Sequence, residues 1–406
     1  MKFFIKTYGC SHNQADSLIM SQLLKTQGYL EAKDEKDSDI IIVNTCTVKT
    51  PTEQRIKRYI QDNKSKKIII AGCMTATHKE LFKDYSLIGC NNLLDIVKVV
   101  KGELKQSLEF KDEKIKPVSI SKNEVIEIVP ISKGCLGSCT YCATKLARGK
   151  LKSYIIDEII NHIKKAVNSG KKELWITAED TGCYGLDKKT TLIKLLREII
   201  KLPELFKIRL GMINPKYANI YRKELAEILV NEKFFKFIHL PVQSGSDKVL
   251  KAMNRFYSKK DFTETVNYLR EKVKDVTIAT DIIVGFPGES EKDYEETYNL
   301  INELKPEVCN ISKYSIRPMT EAAVMPNQVT EGDKKTRAIK LMTLHRKHIS
   351  EMKRKLGLDY ALVDELGHAR TTNYMRIKTS HKLGDYYGLN VSNNDLDIFK
   401  TKKCKK

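Results

Sequence analysis

Three cysteines with the spacing C-x3-C-x2-C, Cys135, Cys139 and Cys142, lie directly after an apolar segment with the pattern of a strand. We call them the loop cysteines. Three thiolates on one loop can bind three irons of a cubane iron–sulfur cluster and leave the fourth iron open. A structural zinc site instead uses four closed ligands, usually from two paired C-x2-C halves, and no second half is nearby. The run therefore predicts a cluster whose open iron can take a small chelating molecule.

Cys10, Cys46 and Cys73, which we call the N-terminal cysteines, each follow a short apolar run. The runs alternate with segments of helical periodicity, which is typical of a parallel α/β layer. They span residues 2–7, 39–44 and 67–72. Because parallel strands end at one edge of their sheet, we expect the three thiols to meet there. Buried cysteine is also a common core residue, so coincidence is the alternative. The equivalent positions favour a second three-thiolate cluster site.

A longer alternation of strands and helices must position the loop cysteines. Strand patterns span residues 125–132, 173–178, 207–213, 237–242, 276–284 and 308–314. Helical patterns span residues 155–167, 192–200, 217–230 and 261–274. Six β/α units predict a partial (β/α)6 barrel, whose chemistry lies at the carboxyl ends of its strands. We therefore predict an α/β fold with an N-terminal parallel α/β domain at 1–105, a charged linker at 106–124 and the barrel at 125–330.

The last part of the chain predicts a helix followed by a small β module. The segment from Thr330 to Asp333 resembles a capping box that begins a helix, predicted at residues 331–357. Lys340, Lys347 and Arg354 recur every seven residues, which indicates either a basic ridge or the solvated face of a packing helix. Short β-like runs then predict a small β-barrel at residues 358–406. These runs span residues 360–364, 374–379, 386–391 and 397–400.

The composition indicates the kind of partner. Of 406 residues, 72 are Lys or Arg and 51 are Asp or Glu, a formal net charge of +21, and residues 331–406 hold 18 basic and nine acidic residues. This excess favours a polyanionic partner, with a Lys-rich overall composition as the alternative. No apolar run is long enough to cross a membrane, and the N-terminus lacks the apolar core of a secretory signal. Ten cysteines in such a chain predict a reducing, cytoplasmic location.

Together these patterns resemble a known family. The C-x3-C-x2-C loop after the first strand of a six-unit barrel is similar to that of the radical S-adenosylmethionine enzymes. The N-terminal cysteines resemble those of the methylthiotransferases within that group, and residues 367–374 are similar to part of a TRAM-type RNA-binding barrel. The resemblance implies two [4Fe–4S] clusters, S-adenosylmethionine and an electron donor. It also implies that the loop cysteines bind the radical-generating cluster and the N-terminal cysteines bind the cluster that handles sulfur.

The substrate class also follows from resemblance. Residues 139–149 and 178–185 are similar to the archaeal and eukaryotic branch that acts on N6-threonylcarbamoyladenosine at position 37 of tRNA. A basic C-terminal region agrees with a tRNA partner, since a phosphate backbone attracts Lys and Arg. The alternatives are the branches that act on isopentenyladenosine in tRNA or on a ribosomal protein. An alternative of another class is a non-catalytic iron–sulfur protein that binds RNA.

The resemblance further implies cofactor-binding residues at the strand ends. They are Ala178, Glu179, Asp180, Arg209, Asn214, Gln243, Gly285 and Gly288. In the family, the segment from Ala178 to Asp180 holds the amino group of the cofactor. Met319 departs from the family pattern, which usually has glycine there. Cys183 is interpreted as a small filler, Cys90 and Cys309 as core residues, and Cys404 as part of an exposed tail.

Overall fold

The structure is a computed structural model that describes residues 1–111, 123–352, 359–391 and 396–398. Within these ranges we find no helix with the length and apolar character needed to cross a membrane. Three successive parts of the chain have their own sheets. They are an N-terminal parallel sheet, six parallel barrel strands in two sheets, and a C-terminal antiparallel sheet.

The N-terminal sheet has six parallel strands in the order β2-β1-β3-β4-β5-β6. The strands are β1 Lys2–Thr7, β2 Leu30–Glu31, β3 Ile40–Thr45, β4 Lys67–Gly72, β5 Ser86–Ile88 and β6 Gln106–Ser107. The helices are α1 Ser11–Thr26, α2 Thr50–Asp62, α3 Met74–Thr77 and α4 Ile96–Lys101. Side chains of β3 are buried on both faces, because Ile40 and Ile42 pack in one apolar cluster and Ile41 and Val43 in another. Such burial explains the continuous apolar run.

One boundary differs from the prediction. The linker was predicted from residue 106, but Gln106–Ser107 form strand β6 and pair with β5. The strand forms because Leu104 and Leu108 on either side of it pack into the two apolar clusters of this sheet. Residues 112–122 of the predicted linker lie outside the described residues.

The six predicted barrel strands are present and parallel, in two sheets of order β11-β10-β7 and β12-β13-β14. They are β7 Ile126–Pro130, β10 Glu173–Thr177, β11 Lys207–Leu210, β12 Phe237–His239, β13 Thr277–Val284 and β14 Val308–Lys313. A short antiparallel pair, β8 Ser132–Lys133 and β9 Lys152–Ser153, flanks the cysteine loop. Ile213 N donates to His239 O at 2.9 Å and joins the two sheets. The predicted α/β fold is confirmed.

Helices cover the outer face of these strands. Helix α5 Ala143–Arg148, which follows the cysteine loop, packs against α3 instead. The covering helices are α6 Ile156–Asn168, α7 Leu192–Ile200, α8 Pro215–Ile220, α9 Arg222–Leu229, α10 Asp247–Ala252, α11 Lys259–Lys272 and α12 Glu291–Leu304. Alternate strand residues such as Leu174 and Ile176 pack against them. The single helix predicted over 217–230 is two helices, because Tyr221 has a non-helical backbone (φ −101°, ψ 17°). The strand residues that alternate with those facing the helices point to the opposite side, into the interior of the barrel, which we call the lumen.

The long helix α13 Glu331–Met352 begins at the predicted capping box. Thr330 Oγ1 donates to Asp333 Oδ2 at 2.7 Å, and Asp333 N donates to Thr330 Oγ1 at 3.1 Å. Leu341 and Leu344 pack into the barrel core, while Lys340 and Lys347 are exposed. Arg354 and the predicted helix end at residue 357 lie outside the described residues.

The C-terminal sheet is antiparallel, in the order β17-β16-β15-β18-β19. Its strands are β15 Asp359–Glu365, β16 His368–Thr371, β17 Arg376–Lys378, β18 Tyr386–Val391 and β19 Leu396–Ile398. It packs on the amino ends of the barrel strands: Lys236 N donates to Thr372 O at 2.8 Å, and Tyr374 stacks edge-on against Phe235. The sheet therefore lies at the opposite end of the barrel from the loop cysteines, whose loop follows the carboxyl end of β7.

Candidate functional site

The loop that carries the loop cysteines is fixed at several backbone positions. Cys135 N donates to Gly149 O at 3.3 Å, and Thr140 N donates to Met253 O at 3.2 Å. Gly134 has φ +68°, and a Cβ there would lie 2.2 Å from Lys150 O, so only glycine fits. The loop is therefore held between the β8–β9 pair and the end of α10.

The loop cysteines lie around Gly137. A Cβ on Gly137 would lie 3.3 Å from Cys135 Sγ and 3.8 Å from Cys139 Sγ, so a side chain here would occupy the space beside both sulfurs. Gly137 N donates to Cys135 Sγ at 3.1 Å, and Arg255 Nη1 donates to Cys139 Sγ at 3.1 Å. Burial raises the pKa of Cys142, and the neighbouring Cys139 raises it further. Three thiols on one loop with donors to their sulfurs fit an iron–sulfur cluster.

Asp180 and Cys183 lie beside Cys135. One sulfur or carboxylate oxygen from each of the three residues lies within 4.8 Å of the others. Asp180 Oδ1 accepts from Gly182 N and Asn214 N, each at 3.0 Å, so it ties two strand-end loops together. Burial raises the pKa of Asp180 to about 6. Cys183, interpreted from the sequence as a filler, is buried directly against the cysteine loop.

The N-terminal cysteines gather around Asn13. Cys10 Sγ and Cys73 Sγ lie 3.6 Å and 4.0 Å from the same oxygen, Asn13 Oδ1. A Cβ on Gly9 would lie 3.0 Å from Cys46 Sγ and 3.2 Å from Asn13 Nδ2. Asn13 Nδ2 in turn donates to Thr45 O at 2.8 Å, which anchors it to the end of β3. The structure thus brings the three thiols together at one sheet edge, and this donor set also fits a cluster.

Cys90, predicted to be a core residue, is buried and lies beside this group. Its Sγ lies 3.9 Å from Cys73 Sγ, and both side chains are buried. It follows the end of β5, the next parallel strand in the sheet after β4. Recognising β5 as a fourth strand would have placed Cys90 at the same edge.

A buried arginine that the sequence analysis did not identify connects the two cysteine sets. Arg148 Nη2 lies 2.8 Å from Asp16 Oδ2 and 2.9 Å from Asn13 Oδ1. Arg148 Nε lies 3.0 Å from Glu179 Oε1, which also lies 3.1 Å from His12 Nδ1. Burial raises the pKa of Glu179 to about 7, against the effect of Arg148. The ion pairs fix the N-terminal sheet against the end of β10.

Glu179 and Arg209, predicted from the resemblance to bind the cofactor, both contact other parts of the chain. Glu179 lies against Arg148 and His12, between the N-terminal part and the barrel. The Arg209 guanidinium lies over the rings of Trp175 and Tyr374, with 5.3 Å and 5.6 Å to their centroids. Its aromatic neighbours hold it toward the C-terminal sheet, since a guanidinium is attracted to ring faces. A role of either residue in binding the cofactor stays a prediction.

The remaining predicted cofactor residues lie at strand carboxyl ends. Ala178 follows β10, and Asn214 begins α8 by accepting from Lys216 N at 3.1 Å. Gln243 N donates to Asp281 O at 2.8 Å beside β13. Gly285 and Gly288 have φ of +73° and +79°, and a Cβ on Gly285 would lie 2.3 Å from the Lys334 side chain. Their roles in binding a cofactor remain predictions.

Met319 keeps the conformation that glycine would favour. Its φ is +64°, in the left-handed region, and its side chain is largely exposed. A non-glycine residue pays a steric cost there but can adopt the conformation. The chain therefore has a left-handed turn here even though the residue is methionine and not glycine.

A polar group inside the barrel was only partly found from the sequence. Asp281 lies next to Ile282, which packs in the outer core, so Asp281 faces the lumen. His239 Nε2 lies 3.0 Å from Asp281 Oδ2, and Asn310 Nδ2 donates to Asp281 Oδ1 at 2.8 Å. Burial acts to raise the pKa of Asp281, but these two partners and Lys49 lower it overall. The sequence signal that could have identified this group is the presence of polar residues within otherwise apolar strands.

Comparisons with known proteins agree with this arrangement. A model of the Radical SAM superfamily matches residues 129–301, and one described as Uncharacterized protein family UPF0004 matches residues 2–89. Among solved structures, the radical S-adenosylmethionine methyltransferase TsrM from Kitasatospora setae is similar with TM-score 0.57 and 13% identity, over 80% of this chain and 75% of that one. The cobalamin-dependent S-adenosylmethionine radical enzyme OxsB is similar with TM-score 0.52 and 13% identity, over 86% and 56%. These structures show the fold.

Curated relatives give the family. A protein of Pyrococcus horikoshii named "Probable threonylcarbamoyladenosine tRNA methylthiotransferase" is 41% identical over 335 residues, covering 80% of this chain and 79% of its own. A protein of Archaeoglobus fulgidus with the same name is 38% identical and covers 96% of both chains. The human "Threonylcarbamoyladenosine tRNA methylthiotransferase" is 40% identical over 83% of this chain and 61% of its own. This chain therefore belongs to the radical S-adenosylmethionine family of threonylcarbamoyladenosine tRNA methylthiotransferases.

Proposed function

We propose that the protein converts N6-threonylcarbamoyladenosine at position 37 of tRNA to its 2-methylthio derivative. One observation supports the proposal: two separate three-cysteine sites lie in parts of the chain whose contact includes the buried Arg148. A non-catalytic RNA-binding protein would not need two thiol sites fixed against each other. The relatives named for this substrate support the choice of nucleoside.

In this proposal the loop cysteines hold the cluster that binds S-adenosylmethionine, and the N-terminal cysteines hold the second cluster. When bound, the first cluster and S-adenosylmethionine would supply the radical that activates an inert C–H bond, the second cluster would deliver sulfur, and another molecule of S-adenosylmethionine would supply the methyl group. A one-electron donor from outside the chain completes the set of partners. The proposal places the reaction in the cytoplasm, where tRNA is available and thiols stay reduced.

The chain's own groups orient the two sites. Arg255 donates to Cys139 Sγ and to Pro241 O, so it fixes one thiol relative to the end of β12. Asp180 holds the loops after β10 and β11 together through two backbone N–H groups. Asn13 does the same for the N-terminal thiols through Thr45 O and Tyr8 O. These contacts preorganise the ligands before anything binds, which reduces the cost of ordering them later.

The substrate nucleoside would enter at the carboxyl ends of the barrel strands. Asp281, His239 and Asn310 face this lumen and offer both donors and acceptors to an extruded adenosine. Lys340 and Lys347 on α13 are exposed and would neutralise phosphates of the tRNA backbone. The C-terminal sheet is proposed as a TRAM-like module that adds further backbone contacts.

The first experiment is mass spectrometry of tRNA nucleosides from cells with and without the gene. Loss of 2-methylthio-N6-threonylcarbamoyladenosine, with accumulation of the precursor, is the expected result. A change in isopentenyladenosine derivatives, or in a ribosomal protein, would assign the chain to another branch. Unchanged nucleosides together with retained tRNA binding would favour the non-catalytic alternative.

The second experiment separates the two cysteine sets. Anaerobically reconstituted protein should contain about eight irons, as two cubane clusters. Replacing the loop cysteines with Ala should leave about four irons and abolish cleavage of S-adenosylmethionine. Replacing the N-terminal cysteines should also leave about four irons, yet 5′-deoxyadenosine should still form without methylthio product. Thiolation by the second variant would show that the N-terminal cysteines are only structural.

A further inference from the structure

Arg148 has a donor that the fold does not use. The residue is 2% exposed, and its Nη2 and Nε atoms lie against Asp16, Asn13 and Glu179. Its Nη1 atom is buried and has no hydrogen-bond partner among the described residues. Buried polar groups in folded proteins almost always have a partner, and a guanidinium cannot avoid the cost by losing its proton. An unpaired N–H at this depth therefore points to a ligand.

The position of Arg148 indicates which ligand. Its Nη2 donates to Asn13 Oδ1, the same oxygen that the thiols of Cys10 and Cys73 approach. Ala147, the residue before Arg148 on α5, packs in one buried cluster with Cys73 and Cys90. The guanidinium therefore lies beside the N-terminal cysteines.

The neighbouring carboxylates hold the guanidinium in one orientation. Asp16 contacts Nη2 and Glu179 contacts Nε; the first lies on helix α1 and the second in the loop after β10. The guanidinium is planar, so two fixed nitrogens also fix the third. Nη1 is thus a preorganised donor, as a binding group requires.

We propose that Nη1 of Arg148 binds the small anionic sulfur ligand of the N-terminal site, a hydrosulfide, hydropersulfide or alkylthiolate. The inference rests on the proposed function, because it takes the N-terminal cysteines to hold a cluster with an open position. A charged donor favours a sulfur anion over a neutral ligand, and a charge-assisted hydrogen bond is stronger than a neutral one. The residue then selects the form of sulfur that the site accepts.

The test uses the full chain in which the loop cysteines are replaced by Ala, so that spectra report only the N-terminal cluster. Methanethiolate and hydrosulfide are titrated anaerobically into this chain and into its Arg148→Gln and Arg148→Lys derivatives, followed by absorption and EPR spectra. Imidazole serves as the neutral ligand. Asp16→Asn is the matched control, since its amide oxygen can still accept from Nη2 while the ion pair is lost, and it should bind the sulfur anions as the parent chain does.

Arg148→Gln should weaken binding of both sulfur anions by about tenfold to a hundredfold while imidazole binding stays the same. The affinity of Arg148→Lys for the sulfur anions should lie between those of the parent chain and Arg148→Gln, because lysine keeps the positive charge but lacks the planar guanidinium. Equal losses for anions and imidazole would overturn the proposal and leave Arg148 a structural residue. Fewer than about eight irons in the unmodified chain would instead count against the proposed function.

A second measurement does not depend on the variants folding. In a crystal structure of the otherwise unmodified chain, soaked with methanethiolate under anaerobic conditions, the added sulfur should lie within hydrogen-bond distance of Nη1. A sulfur bound elsewhere, or Nη1 paired with a protein oxygen in that structure, would refute the inference.

Discussion

Glu173 lies at the contact between the barrel and the C-terminal sheet and should make the stability of the protein depend on pH. Its side chain is fully buried, and Oε1 accepts from Trp175 Nε1 at 2.6 Å and from Tyr374 Oη at 3.3 Å. Burial raises its pKa from 4.5 to about 7, Asp364 raises it further, and Arg370 opposes the rise. The folded protein therefore holds a proton that the unfolded chain releases above pH 4.5.

The size of the effect follows from this difference. Between about pH 4.5 and pH 7 the unfolded state binds fewer protons than the folded state, so the free energy of unfolding falls as the pH rises. One pKa unit corresponds to about 1.4 kcal/mol, so the loss amounts to about 3 kcal/mol and is complete above pH 7. Glu173→Gln keeps an oxygen acceptor for Trp175 and carries no charge. The variant should be more stable than the natural protein by up to about 3 kcal/mol at pH 8, with little difference near pH 4.5.

Trp175 supplies the assay, because it is the single tryptophan of the chain and donates directly to Glu173. Urea unfolding followed by its fluorescence at pH 5, 6, 7 and 8 gives the free energy of unfolding at each pH. Glu227→Gln on α9, which changes an exposed carboxylate, is the control and should leave the pH slope unchanged. If the natural protein and Glu173→Gln lose stability in parallel from pH 5 to pH 8, the buried carboxyl is not the cause.

Three further predictions concern the sheet edge that carries the N-terminal cysteines and the exposed lysines of α13. Cys90→Ala should keep about eight irons on reconstitution, because three thiols already complete the N-terminal site; an iron assay that finds about four would make Cys90 a ligand. Gly72→Ala should destabilise the fold by about 2 kcal/mol or more in urea unfolding, since its Cβ would lie 2.3 Å from Asn44 Oδ1. Gly28→Ala, at a similar φ but with nothing within 4 Å, should cost only about 1 kcal/mol. Replacing Lys340 and Lys347 with Ala should weaken binding of modified and unmodified tRNA alike and reduce the salt slope of log K by about two in filter binding; an unchanged slope would mean that this face does not contact tRNA.

Local sequence patterns predicted the strands and the position of the three N-terminal thiols at one edge of the sheet. The apolar runs before Cys10, Cys46 and Cys73 are long enough to show the strands, and parallel strands must end at one edge. The capping box at Thr330 was equally local. Each of these features depends on residues only a few positions apart, so the sequence contains the whole signal.

The contacts between separate parts of the chain could not be predicted in this way. Arg148 and Asn13 are 135 positions apart, and nothing in the residues around either one indicates the other. Arg209 and Tyr374 form a similar long-range contact, which the residues around Arg209 do not indicate. The burial of Cys90 was predicted, but its place beside Cys73 was not, because the strand β5 before it has only three residues. Tertiary packing determines these positions, and it leaves no periodic pattern.

The two ends of the barrel can change independently. The C-terminal sheet rests on residues such as Phe235 and Lys236, which precede a strand, whereas the cysteine loop and the polar lumen belong to strand carboxyl ends. Substitutions in the carboxyl-end loops therefore need not disturb the surface that supports the sheet. In evolution, such a barrel can acquire preference for another modified nucleoside while it keeps the same C-terminal sheet. Exchange of these loops between branches of the family should accordingly transfer substrate choice without rebuilding the rest of the enzyme.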